Sequence, residues 1–178
     1  MTNLLKVLLL WNHMSKLATI IVHLQESYRP YFKHPSGDVS QGLENVARLM
    51  RTSAKANVPV IVAELEGNGE TVPQVKNLIP ETRAQKIVSG YMSILNDPQI
   101  VRNLKAREIE GVILAGFNKY ACVWFTAQDA ARNGLWYRTS SDVLFYTSCN
   151  EWSIRKEGEN HQFIEEEYKK YPLGNELS

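Results

Sequence analysis

Two kinds of hydrophobic pattern alternate along the chain. Short apolar runs, rich in β-branched residues, lie at 17–22, 59–63, 86–88 and 112–115, each of a length that suits a strand buried on both faces. Between them apolar positions recur at helical spacing. Leu43, Val46, Ala47, Met50 and Ala54 form one stripe and predict a helix over 40–56, with Asp38 or Ser40 as N-cap. Asp97-Pro98 opens a second helix through Lys105, the aspartate capping and the proline at the first helical position. After Cys122, apolar or small residues at 123, 126, 127, 130 and 131 give a third, and Gly134 stands where a left-handed C-terminal cap belongs. The stretch from Leu135 to Ser141 reads as a fifth, more polar strand at an edge, and Phe163 to Tyr171 as a solvated terminal helix. The aromatic-rich segment Tyr28 to Gly37 and the polar one from Glu64 to Glu81 read as loops.

Strands alternating with helices predict a three-layer α/β/α domain with a mainly parallel central sheet. Such sheets bind ligands at the carboxyl ends of their strands. At 178 residues the chain is one domain's worth, with residues 1–16 as an N-terminal extension or packing segment around the greasy stretch Leu4 to Trp11.

Composition narrows the function. A 44% hydrophobic and 22% charged chain is an ordinary globular protein, and a net charge of +1 offers no electrostatic case for nucleic acid or an acidic membrane surface. The two cysteines, Cys122 and Cys149, are too few for a disulfide framework, so a reducing, cytoplasmic setting is expected. No apolar run approaches the ~20 residues a membrane-spanning helix needs.

The chemistry concentrates in the stretch Ile109 to Gly134. There a strand gives way at Gly116 to a turn, and Cys122 sits at or near a helix N-terminus. Unpaired backbone N–H groups and the helix dipole at such a place favour a thiolate and can hold an oxyanion. The plainer reading is that Cys122 is a small buried hydrophobe. The run G-F-N-K-Y-A-C-V-W-F-T-A-Q-D-A-A-R-N-G resembles the nucleophile segment of the isochorismatase-like cysteine hydrolases, with Gly116, Cys122, Val123, Thr126, Ala127, Asp129, Ala130 and Gly134 in register.

The resemblance covers roughly residues 17–142 and implies specific roles. Family members end their first strand with Asp-x-Gln, the aspartate acting as base; here the strand ends His23-Leu24-Gln25. They place a lysine four residues before the serine of a Ser-Ala-Phe-like segment; here Ser93-Ile94-Leu95 fills that segment and Ser89 the lysine position. The implied catalytic set is therefore Cys122, His23 and Ser89, with an oxyanion hole from the N–H groups of Asn118 and Cys122 and a cis peptide between Phe117 and Asn118. Lys119, Tyr28 and Phe117 are expected as auxiliary or pocket residues. Lys86 is no stand-in for the family lysine, because an odd offset along a strand puts it on the other face. Nicotinamidase-like members carry a metal site after the second strand; the segment Glu64 to Glu70 has no histidine, so no metal and no cofactor are expected.

Two functions follow from the resemblance. One is a cofactor-free cysteine hydrolase that cleaves a C–N bond of a small amide or imide. The other is a catalytically impaired relative that binds a small molecule or serves as an oligomer subunit. A homo-oligomer, dimer or higher, is implied, with Trp124 and Gln128 outside the buried stripe as interface candidates. For a nucleophile, the helix N-terminus, His23 and Lys119 are expected to lower the Cys122 pKa.

Overall fold

A computed structural model describes residues 16–147. The Leu4–Trp11 stretch, Cys149 and the helix expected at 163–171 lie outside those residues. Among the described residues six strands form one parallel sheet: β1 Leu17–Val22, β2 Val60–Leu65, β3 Gln85–Ser89, β4 Gly111–Phe117, β5 Trp136–Arg138 and β6 Leu144–Phe145. Their order is β3-β2-β1-β4-β5, with β6 also paired to β4. β4 meets β5 through Gly111–Ile113 and β6 through Gly116–Phe117, so two short strands share one long neighbour.

Among the described residues five α-helices cover the sheet: α1 Val39–Lys55, α2 Pro73–Lys76, α3 Ile79–Thr82, α4 Pro98–Ala106 and α5 Cys122–Arg132. α1 starts at the predicted cap, where the Asp38 carboxylate accepts the N–H groups of Ser40 and Gln41 at 2.8 and 3.1 Å. α4 starts the same way, Asp97 accepting Gln99 N–H at 2.8 Å. The strand period of two splits the apolar residues into two cores. Ala18, Ile20 and Val22 of β1 pack with Ile100 and Leu104 of α4 and Val123, Ala127 and Ala130 of α5. Ile21 packs on the opposite face with Val46, Ala47 and Met50 of α1 and Val75 of α2. This is the expected three-layer α/β arrangement.

Several details differ from the sequence reading. α2 and α3, and a 3-10 turn over Glu26–Tyr31, lie in stretches read as loops. Each is too short for periodicity to reveal. β5 stops at Arg138, and the two-residue β6 follows it after a 3-10 turn. Trp124 is buried, 7% exposed, because the covered arc of α5 extends past Val123, while its neighbour Phe125, at 38%, faces outward. Among the described residues no helix is long and apolar enough to cross a membrane.

One glycine positions the rest. Gly116 has φ 122, and a Cβ there would lie 2.1 Å from the carbonyl oxygen of Val22. β4 therefore passes β1 at a distance only a glycine allows, one residue before the chain reaches His23.

A candidate active site at the carboxyl edge of the sheet

β1 ends at Val22, and His23 turns the chain with φ 46, a region few residues other than glycine and asparagine enter readily. Its N–H donates to Ala63 O at 2.9 Å, and its carbonyl accepts Gln25 N–H at 2.9 Å. The Gln25 amide then holds the end of β2, accepting Leu65 N–H at 2.7 Å and donating to Leu65 O and Gly69 O. The His23 imidazole is fully buried, and neither ring nitrogen has a hydrogen-bond partner among the described residues. Burial lowers its pKa to about 4, so the ring is neutral at pH 7.

That shift predicts how stability changes with pH. The unfolded chain binds a proton at His23 below about pH 6.5, whereas the folded chain does so only near 4. Stability is thus full above 6.5 and falls on acidification to 4, by roughly 3 kcal/mol. Urea titrations at pH 7 and pH 4.5 should show this limb. His23→Asn, which tolerates the left-handed backbone, should flatten it.

β4 leads into the other half of the site. The peptide Phe117–Asn118 is cis, as the resemblance implies. Asn118 then organises the turn: its carbonyl accepts the N–H groups of Ala121 and Val123, each at 3.1 Å, and its side chain accepts Tyr120 N–H at 3.1 Å. Lys119 N–H donates to Phe145 O at 2.7 Å, tying the turn to β6. α5 begins directly at Cys122 with no side chain capping it. Burial pushes the thiol's pKa up and prevails over the backbone N–H groups of Asn118 and Cys122, which favour the thiolate. The lowered pKa expected from sequence is therefore not found, because the same packing that shapes the turn removes the thiol from water. No hydrogen bond joins Cys122 to His23.

The remaining positions divide by face. Ser89 is the last residue of β3 and is buried, its Oγ accepting Tyr91 N–H at 3.1 Å. It stands two strand spacings, about 10 Å, from β1. Lys86 lies on the opposite face, 2.9 Å from Glu64. Burial raises the Glu64 carboxyl pKa, but bonds from Lys86 and from the Thr71 N–H and hydroxyl outweigh it and leave the net pKa low. With that carboxylate engaged and no histidine in the segment, these residues do not fit a metal. Among the described residues no group of three or more His, Cys, Asp or Glu side chains gathers to hold one.

Tyr28 comes within electrostatic reach of the sulfur: burial chiefly, and Cys122 second, hold its phenol above the usual range. Its ring stacks 5.3 Å from that of Phe117, which in turn lies 5.0 Å from Phe32. Phe117 is thereby part of the α1-side core as much as of any pocket wall. Lys119 is buried, its ammonium 5.0 Å from the Tyr120 ring centroid. One polar group escaped the sequence reading. Ser93 is buried with its Oγ unpartnered among the described residues, directly before the 3-10 turn Ile94–Asn96 that packs on α5. The Ser93-Ile94-Leu95 match was its only signal.

Comparison with known proteins identifies the fold and the family. Among curated proteins none matches the chain. Solved structures share the fold: the MAR1 ribonuclease of Caenorhabditis elegans has 21% identity and a TM-score of 0.67, with 84% of this chain and 73% of that one covered. The YcaC gene product of Escherichia coli, an octameric hydrolase of unknown specificity, has 22% identity over 84% and 72% of the two chains, at a TM-score of 0.67. Nicotinamidase PncA of Bacillus subtilis has 16% identity over 88% and 96%, at a TM-score of 0.67. The isochorismatase-domain profile matches residues 17–144, the stretch that carries β1 to β5 and the Cys122 turn, and the chain therefore belongs to the isochorismatase family.

Proposed function

We propose that the protein is a cysteine hydrolase that cleaves a C–N bond of a small amide or imide without a cofactor. The observation that carries this reading is Cys122 at the uncapped start of α5, in the turn after the cis peptide Phe117–Asn118, where the first N–H groups of a helix lack intrahelical partners. Donors so placed stabilise the oxyanion of a tetrahedral intermediate.

The chemistry starts from two neutral groups. Cys122 S–H passes its proton to His23 as the sulfur adds to the substrate carbonyl, and the carbonyl oxygen takes the negative charge beside the N–H groups of Asn118 and Cys122. The protonated His23 gives that proton to the leaving nitrogen, the C–N bond breaks and a thioester remains. Water adds to the thioester through the same base and the acid departs, with the proton returned to Cys122. This relay requires that substrate binding bring His23 and Cys122 into proton-transfer distance, since neither ring nitrogen has a partner in the free protein. Ser89 contributes a hydroxyl where the family's lysine supplies charge, so the oxyanion lacks a cationic neighbour and turnover is slow. Tyr28 and Phe117 form the pocket wall beside the sulfur, and Lys119 supports the turn.

Ammonia release from a panel of small amides tests this. Wild type should show slow turnover that Cys122→Ala removes, with kcat/KM flat between pH 5.5 and 8, since His23 is already unprotonated there. The double change His23→Asp with Ser89→Lys should raise the rate. Turnover unaffected by Cys122→Ala would sink the proposal.

The raised thiol and the absent Cys122–His23 bond favour a second reading, a non-catalytic relative that binds a small molecule. Ligand binding without turnover by wild type would select it. Under either reading we infer a homo-oligomer, as in the octameric Escherichia coli relative, and a cytoplasmic setting.

A further inference from the structure

We propose that a groove at the amino edge of the sheet, at the opposite end of the strands from Cys122, binds a compact polyanion of phosphate or carboxylate type. Its volume is about 600 Å³, within the range of small-ligand sites. The C-terminal third of α1 supplies Arg51 and Lys55, the end of α3 supplies Glu81 and Arg83, and Arg107 follows α4. Four cations thus share one cavity with a single carboxylate, in a chain whose net charge is only +1. Among the described residues Lys55, Arg83 and Arg107 enter no ion pair, while Arg51 is divided between Glu44 at 3.5 Å and Glu81 at 3.4 Å.

Helix polarity accounts for part of this. A cation near the C-terminus of α1 or α4 offsets the dipole there, which would explain Lys55 and Arg107 singly. It does not explain Arg83, since α3 is one turn long and has little dipole. Nor does it require the three helix ends to turn their cations into one cavity. Guanidinium groups meet phosphate and carboxylate oxygens in a two-pronged geometry, and several such donors suit a ligand with two or more anionic groups. The described lining holds no aromatic ring on which a base could stack, so the charged groups are what the groove reads. Glu81 already plays the anion's part toward Arg51, and a bound ligand displaces it.

Calorimetric titration of the full chain at low salt, with inorganic pyrophosphate in one arm and citrate in the other, tests the site. Saturable one-to-one binding of either probe is expected, and the tighter arm identifies the anion class. Arg107→Gln and Arg83→Asn, the latter chosen for its left-handed backbone (φ 52), should each weaken binding roughly threefold to tenfold. Glu81→Gln should tighten it by freeing Arg51. Binding that does not saturate, that ignores all three changes, or that is lost with Cys122→Ala overturns the proposal. Should one arginine variant fail to fold, the other and the gain with Glu81→Gln still decide it.

Discussion

Gly116→Ala should be the most destabilising single substitution in the sheet. The new Cβ would lie 2.1 Å from Val22 O and 2.7 Å from Val22 N, both backbone atoms that no rotamer change can move aside. The backbone at φ 122 adds a conformation that alanine avoids. β1 and β4 would have to separate at the centre of the sheet, where both are buried. A loss of roughly 4 kcal/mol or more is expected, a large part of a domain's whole stability. Gly134→Ala is the control. Its φ is also positive, at 75, but nothing lies within 4 Å of the added carbon, so about 1 kcal/mol is expected. Urea denaturation of the two variants measures the contrast. Equal losses would mean that backbone conformation, and not the approach of β1, sets the cost.

The second large effect concerns Cys122. Replacing it by serine should reduce amide turnover by roughly 10³-fold or more, as loss of a nucleophile does. Its reactivity in the free protein should be low, because burial raises the thiol's pKa and the thiolate is the reactive form. Iodoacetamide at pH 6.5 should therefore modify Cys122 more slowly than an exposed thiol. The rate should climb about tenfold per pH unit through the alkaline range. His23→Asn should leave this alkylation profile nearly unchanged, since no hydrogen bond couples the two in the free protein. It should nonetheless depress turnover, because the proposed mechanism passes its proton through His23. Rapid alkylation at pH 6.5 that depends on His23 would show an ion pair already formed, and the neutral-pair mechanism would fall.

The sheet and the principal helices were legible because their signals are long. Seventeen residues of α1 carry one apolar stripe and a capping aspartate, and the strands carry unbroken apolar runs. α2, α3 and β6 were illegible because four or two residues hold no period. The site was half legible. Spacing put Cys122 at the start of a helix, and the family resemblance supplied the cis peptide and the partners to look for. The state of the thiol was beyond reach of the sequence. Dipole and charge arguments are local and can be read from neighbours in the chain, whereas burial of Cys122 and His23 depends on how separate strands and helices close over them. Trp124 was misplaced for the same reason: a helical wheel shows one stripe, and tertiary packing decides how wide the covered arc becomes.

The pairing of β1 with β4 has a consequence for how the chain comes to be folded. Leu17 lies beside Gly111 and Val22 beside Gly116, so the middle of the sheet joins segments that are made far apart in time. During synthesis β1 can pair with β2 early, but its other edge has no neighbour until the chain has been extended beyond Phe117. Five apolar residues of β1 and Thr19, all buried in the finished protein, wait uncovered while that edge is open. Contacts of such long separation slow folding and leave sticky edges open to other chains. The closing of β4 onto β1 is thus a late event, and the nascent protein is most vulnerable to aggregation just before it.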